Sequence, residues 1–155
     1  MKSPTPEPYE ARLTEVWAEQ MPLTRAMGVT LAVLDEVQLE IRMPMGPNRN
    51  HKGTVFGGSV SALATLAGWS AVWLLLVEAG VAAHTVIQDS RIRYTNPGQT
   101  DVVARVIRPG PIEVERFLTM VARRGRGRIG IAVTVRDAAG QVVAEFEGRY
   151  VAASG

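Results

Sequence analysis

The sequence contains no cysteine. That excludes a disulfide framework, a thiol nucleophile and a thiolate metal site. Histidine is nearly as scarce, with only His51 and His84. Neither they nor the scattered carboxylates fall at metal-ligand spacing, so no metal and no cofactor are expected. Aromatic residues are absent from the run Arg123-Arg124-Gly125-Arg126-Gly127-Arg128. A stacking platform for nucleic-acid bases is therefore missing from the most basic stretch. Met1 to Glu19 carries Glu7, Glu10, Glu15 and Glu19 and has no apolar h-region. It is not read as a secretory signal, and a cytoplasmic location is the expectation. No internal repeat or low-complexity segment marks a boundary. The 155 residues are read as one domain, 1–155, with 1–8 (Pro4, Pro6, Pro8) as a flexible tail.

What is present is an ordinary globular composition, 46% hydrophobic and 21% charged, enough for a core without staples. The net charge of +2 is unevenly spread. Residues 1–77 carry 6 basic and 7 acidic side chains; 78–155 carry 11 and 8, and those 11 are all arginine. Arginine forks suit phosphate groups. Two readings stand: a solvated sheet face, or a rim meeting the phosphates of a nucleotide-bearing thiol.

Along the chain, Tyr9 to Gln20 reads as a helix, with Leu13, Val16, Trp17 and Met21 at helical spacing. Pro22 breaks it, and Leu23 to Met27 adds a turn. Val29, Leu31 and Val33 alternate, Asp35-Glu36 turn the chain, and Val37, Leu39, Ile41 and Met43 alternate again. This is a hairpin with one buried face. Val60 to Val77 has no charge, and its only polar side chains are Ser61, Thr65 and Ser70. Such a stretch is long enough to cross a membrane. Its strand-rich surroundings favour a helix buried on all sides, and no membrane span is expected. Ala62, Ala64, Ala67 and Gly68 let a sheet approach closely. Strands are expected at His84–Tyr94, Val102–Ile107, Val114–Ala122, Arg128–Val135 and Val142–Ala152, with turns at Asn96-Pro97-Gly98, Pro109-Gly110-Pro111 and Asp137-Ala138-Ala139-Gly140. Short connections suggest an antiparallel meander. A long helix inserted after two strands and wrapped by one curved sheet is an α+β design.

The run Asn48 to Ser59 joins the hairpin to the apolar helix. Gly57 and Gly58 fall at the helix start, where the first amides lack intrahelical partners and the dipole is positive. Glycine lets a ligand approach such a backbone. The pair either polarises a carbonyl or simply allows tight entry into the sheet.

The order of elements and this loop resemble the hotdog-fold thioesterase superfamily. In its phenylacetyl-CoA-thioesterase-like branch a loop asparagine precedes His-Gly-Gly at the central helix, and an aspartate follows nine residues after that histidine. Here Asn50 falls at the asparagine, and Phe56-Gly57-Gly58 replaces His-Gly-Gly. The strand ending Ile92-Arg93-Tyr94-Thr95-Asn96-Pro97-Gly98 also looks like the superfamily's third strand. Asn50 to Ser59, with Leu63 to Trp69, is most similar to a thioesterase branch that occurs alone or behind an acetyltransferase domain. The resemblance covers about Leu23 to Ala152. It implies a hotdog fold, an acyl-CoA or acyl-carrier-protein substrate, and a homodimer or dimer of dimers.

Two positions depart from the pattern. The histidine is Phe56, and the helix aspartate, the usual base or nucleophile, is Thr65. Threonine is no general base at neutral pH. The resemblance makes Asn50, Gly57, Gly58 and Thr65 the catalytic candidates. Asn48, His51, Phe56, Ser59, Trp69 and Ser90 are candidates for contact with substrate. His51 either activates a water or sits on the loop surface. Thr65 either holds a water or bonds a preceding helix carbonyl. Asn48 either orients the thioester or shapes the loop. Trp69 and Trp73 read as core or acyl-pocket walls, and Met43 and Met45 as the lining of an acyl channel. If His84, Val86, Gln88, Ser90 and Ile92 face the helix, Asp89, Arg91 and Arg93 face away. The resemblance implies that the two third strands of a dimer lie close, which makes Asp89 an interface ion-pair partner for arginine rather than a catalyst. The functional readings are thioester hydrolysis or, with the carboxylate lost, a non-catalytic acyl-binding module.

Overall fold

The computed structural model describes residues 8–155. Residues 1–7 of the expected tail lie outside them. Helix α1 (Tyr9–Gln20) buries Leu13 and Trp17, and the Trp17 indole donates to Ser70 Oγ at 3.0 Å. Pro22 opens α2 (Pro22–Met27), which Gly28 ends in the left-handed region at φ 71°. Strands β1 (Thr30–Leu34) and β2 (Gln38–Met43) form the expected hairpin. Its turn is tied by the Asp35 carboxylate, which accepts from Val37 and Gln38 N–H at 2.8 Å each. Those two bonds hold Asp35 below the ordinary carboxylate pKa.

Next comes the long helix α3 (Gly57–Glu78), then β3 (His84–Tyr94), β4 (Val102–Ile107), α4 (Pro111–Arg124), β5 (Arg126–Asp137) and β6 (Val142–Ala153). The six strands form one antiparallel sheet in the order β1-β2-β4-β5-β6-β3. The sheet curls around α3, which touches β2 through β6 and α1. Val60, Leu63, Ala67, Val72 and Leu74 are almost fully buried. Each large apolar side chain so buried stabilises by about 1.5–3 kcal/mol. The helix has a mean hydropathy of 1.9 over its most apolar window, yet 67% of that window is buried. Its all-round apolarity reflects the enclosing sheet. The α+β hotdog arrangement expected from the sequence is therefore present.

Three local expectations are corrected. Val114–Ala122 is not a strand but lies within α4. Val114, Phe117, Leu118 and Val121 recur at helical spacing, Pro111 occupies the first turn, and Gly125 closes the end at φ 69°. The later strands do not form a simple meander, because β3 pairs with β6 rather than β4, and α4 lies between β4 and β5. The facing of β3 changes part-way along. The register slips between Ile87 and Asp89, leaving Gln88 as an extra residue. Thr85 and Ile87 share the helix side with Ser90 and Ile92, whereas His84, Val86 and Gln88 do not. Asp89, Arg91 and Arg93 face outward as expected, opposite Arg149, Glu147 and Glu145.

Candidate active site at the N-terminus of α3

The chain enters α3 through a braced loop. A 3₁₀ turn (Gly46–Asn48) follows Met45, whose N–H donates to Asp101 at 2.9 Å. That bond, with the Arg42 guanidinium at 2.6 Å, holds Asp101 below its ordinary pKa. Asn48 is buried. Its side-chain amide donates to Met27 O and Pro44 O, both at 2.8 Å, so one hydrogen ties the loop to the end of α2 and the other closes the loop on the residue after β2. Of its two sequence readings, loop shaping is the one this geometry matches.

Asn50 organises the next turn. Its Oδ1 accepts from Lys52 N (2.9 Å) and Thr54 N (3.1 Å), and its Nδ2 donates to Thr54 Oγ1 at 2.8 Å. One amide hydrogen is left. His51 lies in the same turn and is exposed. The chain is then held to the turn after β3 and to the 3₁₀ turn, with Val55 N donating to Gly98 O at 2.8 Å and Phe56 N to Asn48 O at 2.7 Å.

Phe56 is the N-cap of α3 and offers no side-chain cap. The first helical hydrogen bond there is Val60 N to Phe56 O, 3.1 Å. Among the described residues, the N–H groups of Gly57, Gly58 and Ser59 have no partner. They converge where the helix dipole is positive. The Phe56 ring lies against Gly58, and a Cβ there would stand 2.5 Å from its edge. Glycine at 58 is thus what allows the aromatic cover.

Two depressions flank this helix start. The smaller, about 300 Å³, is lined by Asn50, Gly57, Tyr94 and the Thr95–Gly98 turn. Tyr94 OH donates to Gly57 O at 3.2 Å. The larger, about 460 Å³, runs along one face of α3 as Gly58, Ser61, Ala62, Thr65 and Trp69. Met21, Leu23 and Met27 form one wall, and Ile87 and Tyr150 the other. The four catalytic candidates are therefore split: Asn50 and Gly57 line one side, Gly58 and Thr65 the other. Trp69 lines the groove. Ser59 is half-buried in the first turn, and Ser90 is exposed on β3 opposite Gly148; neither lines a depression.

Hydroxyls in the groove are mostly tied to backbone. Thr65 Oγ1 donates to Ser61 O at 2.8 Å, Tyr150 OH to Thr65 O at 2.8 Å, and Thr24 Oγ1 to Met21 O at 2.8 Å. Burial pushes the Tyr150 phenol pKa well above its ordinary value, and the Trp69 N–H beside it only partly opposes this. No Asp, Glu or His lines either depression. Ser61, Ile87 and Tyr150 were missed in the sequence. Ser61 was findable, being three residues after Gly58 and four before Thr65, on the same helix face. Ile87 and Tyr150 depend on strand pairing and gave no local signal.

The model of the YiiD_C family, described as "Putative thioesterase (yiiD_Cterm)", matches residues 10–154. The chain belongs to this family. Solved structures agree. A protein of unknown function from Chlorobaculum tepidum is 25% identical, with TM-score 0.93, over 97% of this chain and 98% of that one. A Shewanella oneidensis protein described as a "putative thioesterase" is 26% identical, with TM-score 0.84, over 94% and 98%. A thioesterase from Haemophilus influenzae shares the fold at 16% identity and TM-score 0.69, over 97% and 92%. YiiD_C membership accounts for the element order around α3.

Proposed function

We propose that the protein hydrolyses an acyl thioester, with acyl-CoA or an acylated carrier protein as substrate. The observation that carries this reading is the set of unpartnered Gly57, Gly58 and Ser59 amides at the start of α3, set between the Asn50–Tyr94 depression, which Gly57 lines, and the apolar groove, which Gly58 lines. Preorganised backbone donors of this kind stabilise the oxyanion of a tetrahedral intermediate. The acyl chain lies in the groove, and the thiol-bearing arm leaves past Asn50 and Tyr94. Asn50 turns its remaining amide hydrogen toward the thioester carbonyl. Water held by Ser61, one turn past Gly58, adds to that carbonyl, the C–S bond breaks, and the thiolate takes up the proton. The products are a carboxylic acid and a free thiol.

A second copy completes the site by pairing along β3. This edge strand is eleven residues long, and among the described residues its outer side is unpaired in one chain. A two-fold axis at Ser90 would set Asp89 of each copy opposite Arg91 of the other.

Hydrolysis of a panel of acyl-CoA esters, followed by free-thiol release, tests the reading. Asn50→Asp keeps the acceptor that braces the turn but removes the donor. Turnover should fall at least tenfold with little change in melting temperature. Unchanged turnover would remove Asn50 from the mechanism. Thr65→Asp, which returns a carboxylate to the position where the superfamily carries its base, should raise turnover on the order of 10²-fold by acting through intervening water. The absence of carboxylates from both depressions favours an alternative, an acyl-binding module without turnover. No hydrolysis by wild type or Thr65→Asp would select it.

A further inference from the structure

We infer that the groove measures its acyl chain and selects medium lengths, about eight to twelve carbons, with Trp69 as the end wall. This rests on the groove being the acyl site. Gly58, Ala62, Thr65 and Trp69 lie in line on one face of α3, an uninterrupted α-helix over this stretch. At 1.5 Å per residue, Thr65 is about 10 Å and Trp69 about 16 Å beyond Gly58. An extended alkyl chain advances about 1.25 Å per carbon, from the C–C length and its bond angle. With the carbonyl at the Gly58 amide, about eight carbons reach the level of Thr65. About thirteen would reach the Trp69 backbone, and the indole occupies part of that span.

The wall is fixed rather than free to swing. The Trp69 indole N–H donates to Thr85 O at 2.9 Å, which pins the ring to β3. The lining before it is apolar to a chain, because Thr65, Tyr150 and Thr24 direct their hydroxyls into backbone carbonyls. Met21, Leu23, Met27, Ala62 and Ile87 supply the remaining contact. Each methylene that enters should raise affinity roughly threefold to fourfold until the wall is met.

Two measurements on the intact protein separate this inference from the hydrolysis reading. The first is kcat/KM for acyl-CoA esters from acetyl to palmitoyl. The second is binding of non-hydrolysable S-alkyl-CoA thioethers of the same lengths by calorimetry. Both should peak between eight and twelve carbons and fall at least tenfold at sixteen. Trp69→Ala should move the peak up by two or more carbons. Ala62→Phe, which narrows the groove one turn past Gly58, should move it to six or fewer. Because the two variants act in opposite directions, loss of folding in one leaves the other decisive. A thioether peak at eight to twelve without any ester hydrolysis supports the length selection and removes the enzyme. Hydrolysis with a flat length profile, a peak at two or sixteen carbons, or variants that leave the peak in place would overturn the length selection alone.

Discussion

Gly68 gives up a side chain so that Tyr150 can press its hydroxyl onto the α3 backbone. A Cβ at 68 would collide with the phenol oxygen and ring. Gly68→Ala is expected to destabilise by about 1–3 kcal/mol, read as a lower urea midpoint. Tyr150→Phe keeps the ring and loses the bond to Thr65 O, and should destabilise by about 1 kcal/mol. The raised phenol pKa adds a pH dependence. Folding holds the proton more tightly than the unfolded chain, whose ordinary value is 10.0. Stability from this group is therefore full below pH 10 and falls as pH rises beyond it. Denaturant titrations between pH 9 and 11 should show a decline that Tyr150→Phe lacks; equal slopes in both proteins would refute the assignment. At this scale the sequence was legible where chemistry is local. Gly57 and Gly58 announced a helix start with free amides, and they form one. The pairing of Gly68 with Tyr150, 82 positions later, leaves no mark on either neighbourhood.

Among the elements, α4 carries the main misreading. Val114 to Ala122 reads as a strand in the sequence, yet Val114, Phe117, Leu118 and Val121 fall on one helical face. Pro111 and Gly125 at its ends, with Glu113 in the first turn and Arg123 and Arg124 in the last, are start and stop signals that decide for helix. Its attachment depends on Phe117, 2% exposed, and Val121 beneath β5. Phe117→Ala should lower stability by about 3–5 kcal/mol. It should also raise amide hydrogen exchange in 111–124 before the rest of the molecule. Uniform exchange across the chain would show that α4 is not a separable unit. The β3 misreading has a different origin. One bulged residue, Gln88, reverses the facing of everything on one side of it, and no composition rule places a bulge. The reading of Ser90 and Ile92 survived because they lie on the far side of that residue.

For the whole molecule, the proposed pairing through β3 makes a prediction that charge reversal can reach. Asp89→Arg should drive the protein to monomers in light scattering, by placing four arginines at the axis. Asp89→Arg combined with Arg91→Asp should restore dimers. A dimer unaffected by the single change would put the partner elsewhere. The global arrangement was the most legible level of all. The uncharged Val60–Val77 stretch, set among strand patterns, favours a helix enclosed by a sheet over a membrane span, and the sheet encloses it. That enclosure has a consequence for biosynthesis. Glu78 leaves the ribosome before any of β3 to β6, and the last of these strands ends about 75 residues later. At ~5–20 residues per second the most apolar segment waits roughly 4–15 s for its cover. Through that interval it is chemically indistinguishable from a membrane anchor. Safe delivery of this protein then depends on how quickly translation supplies the strands, or on what shields the helix until they arrive.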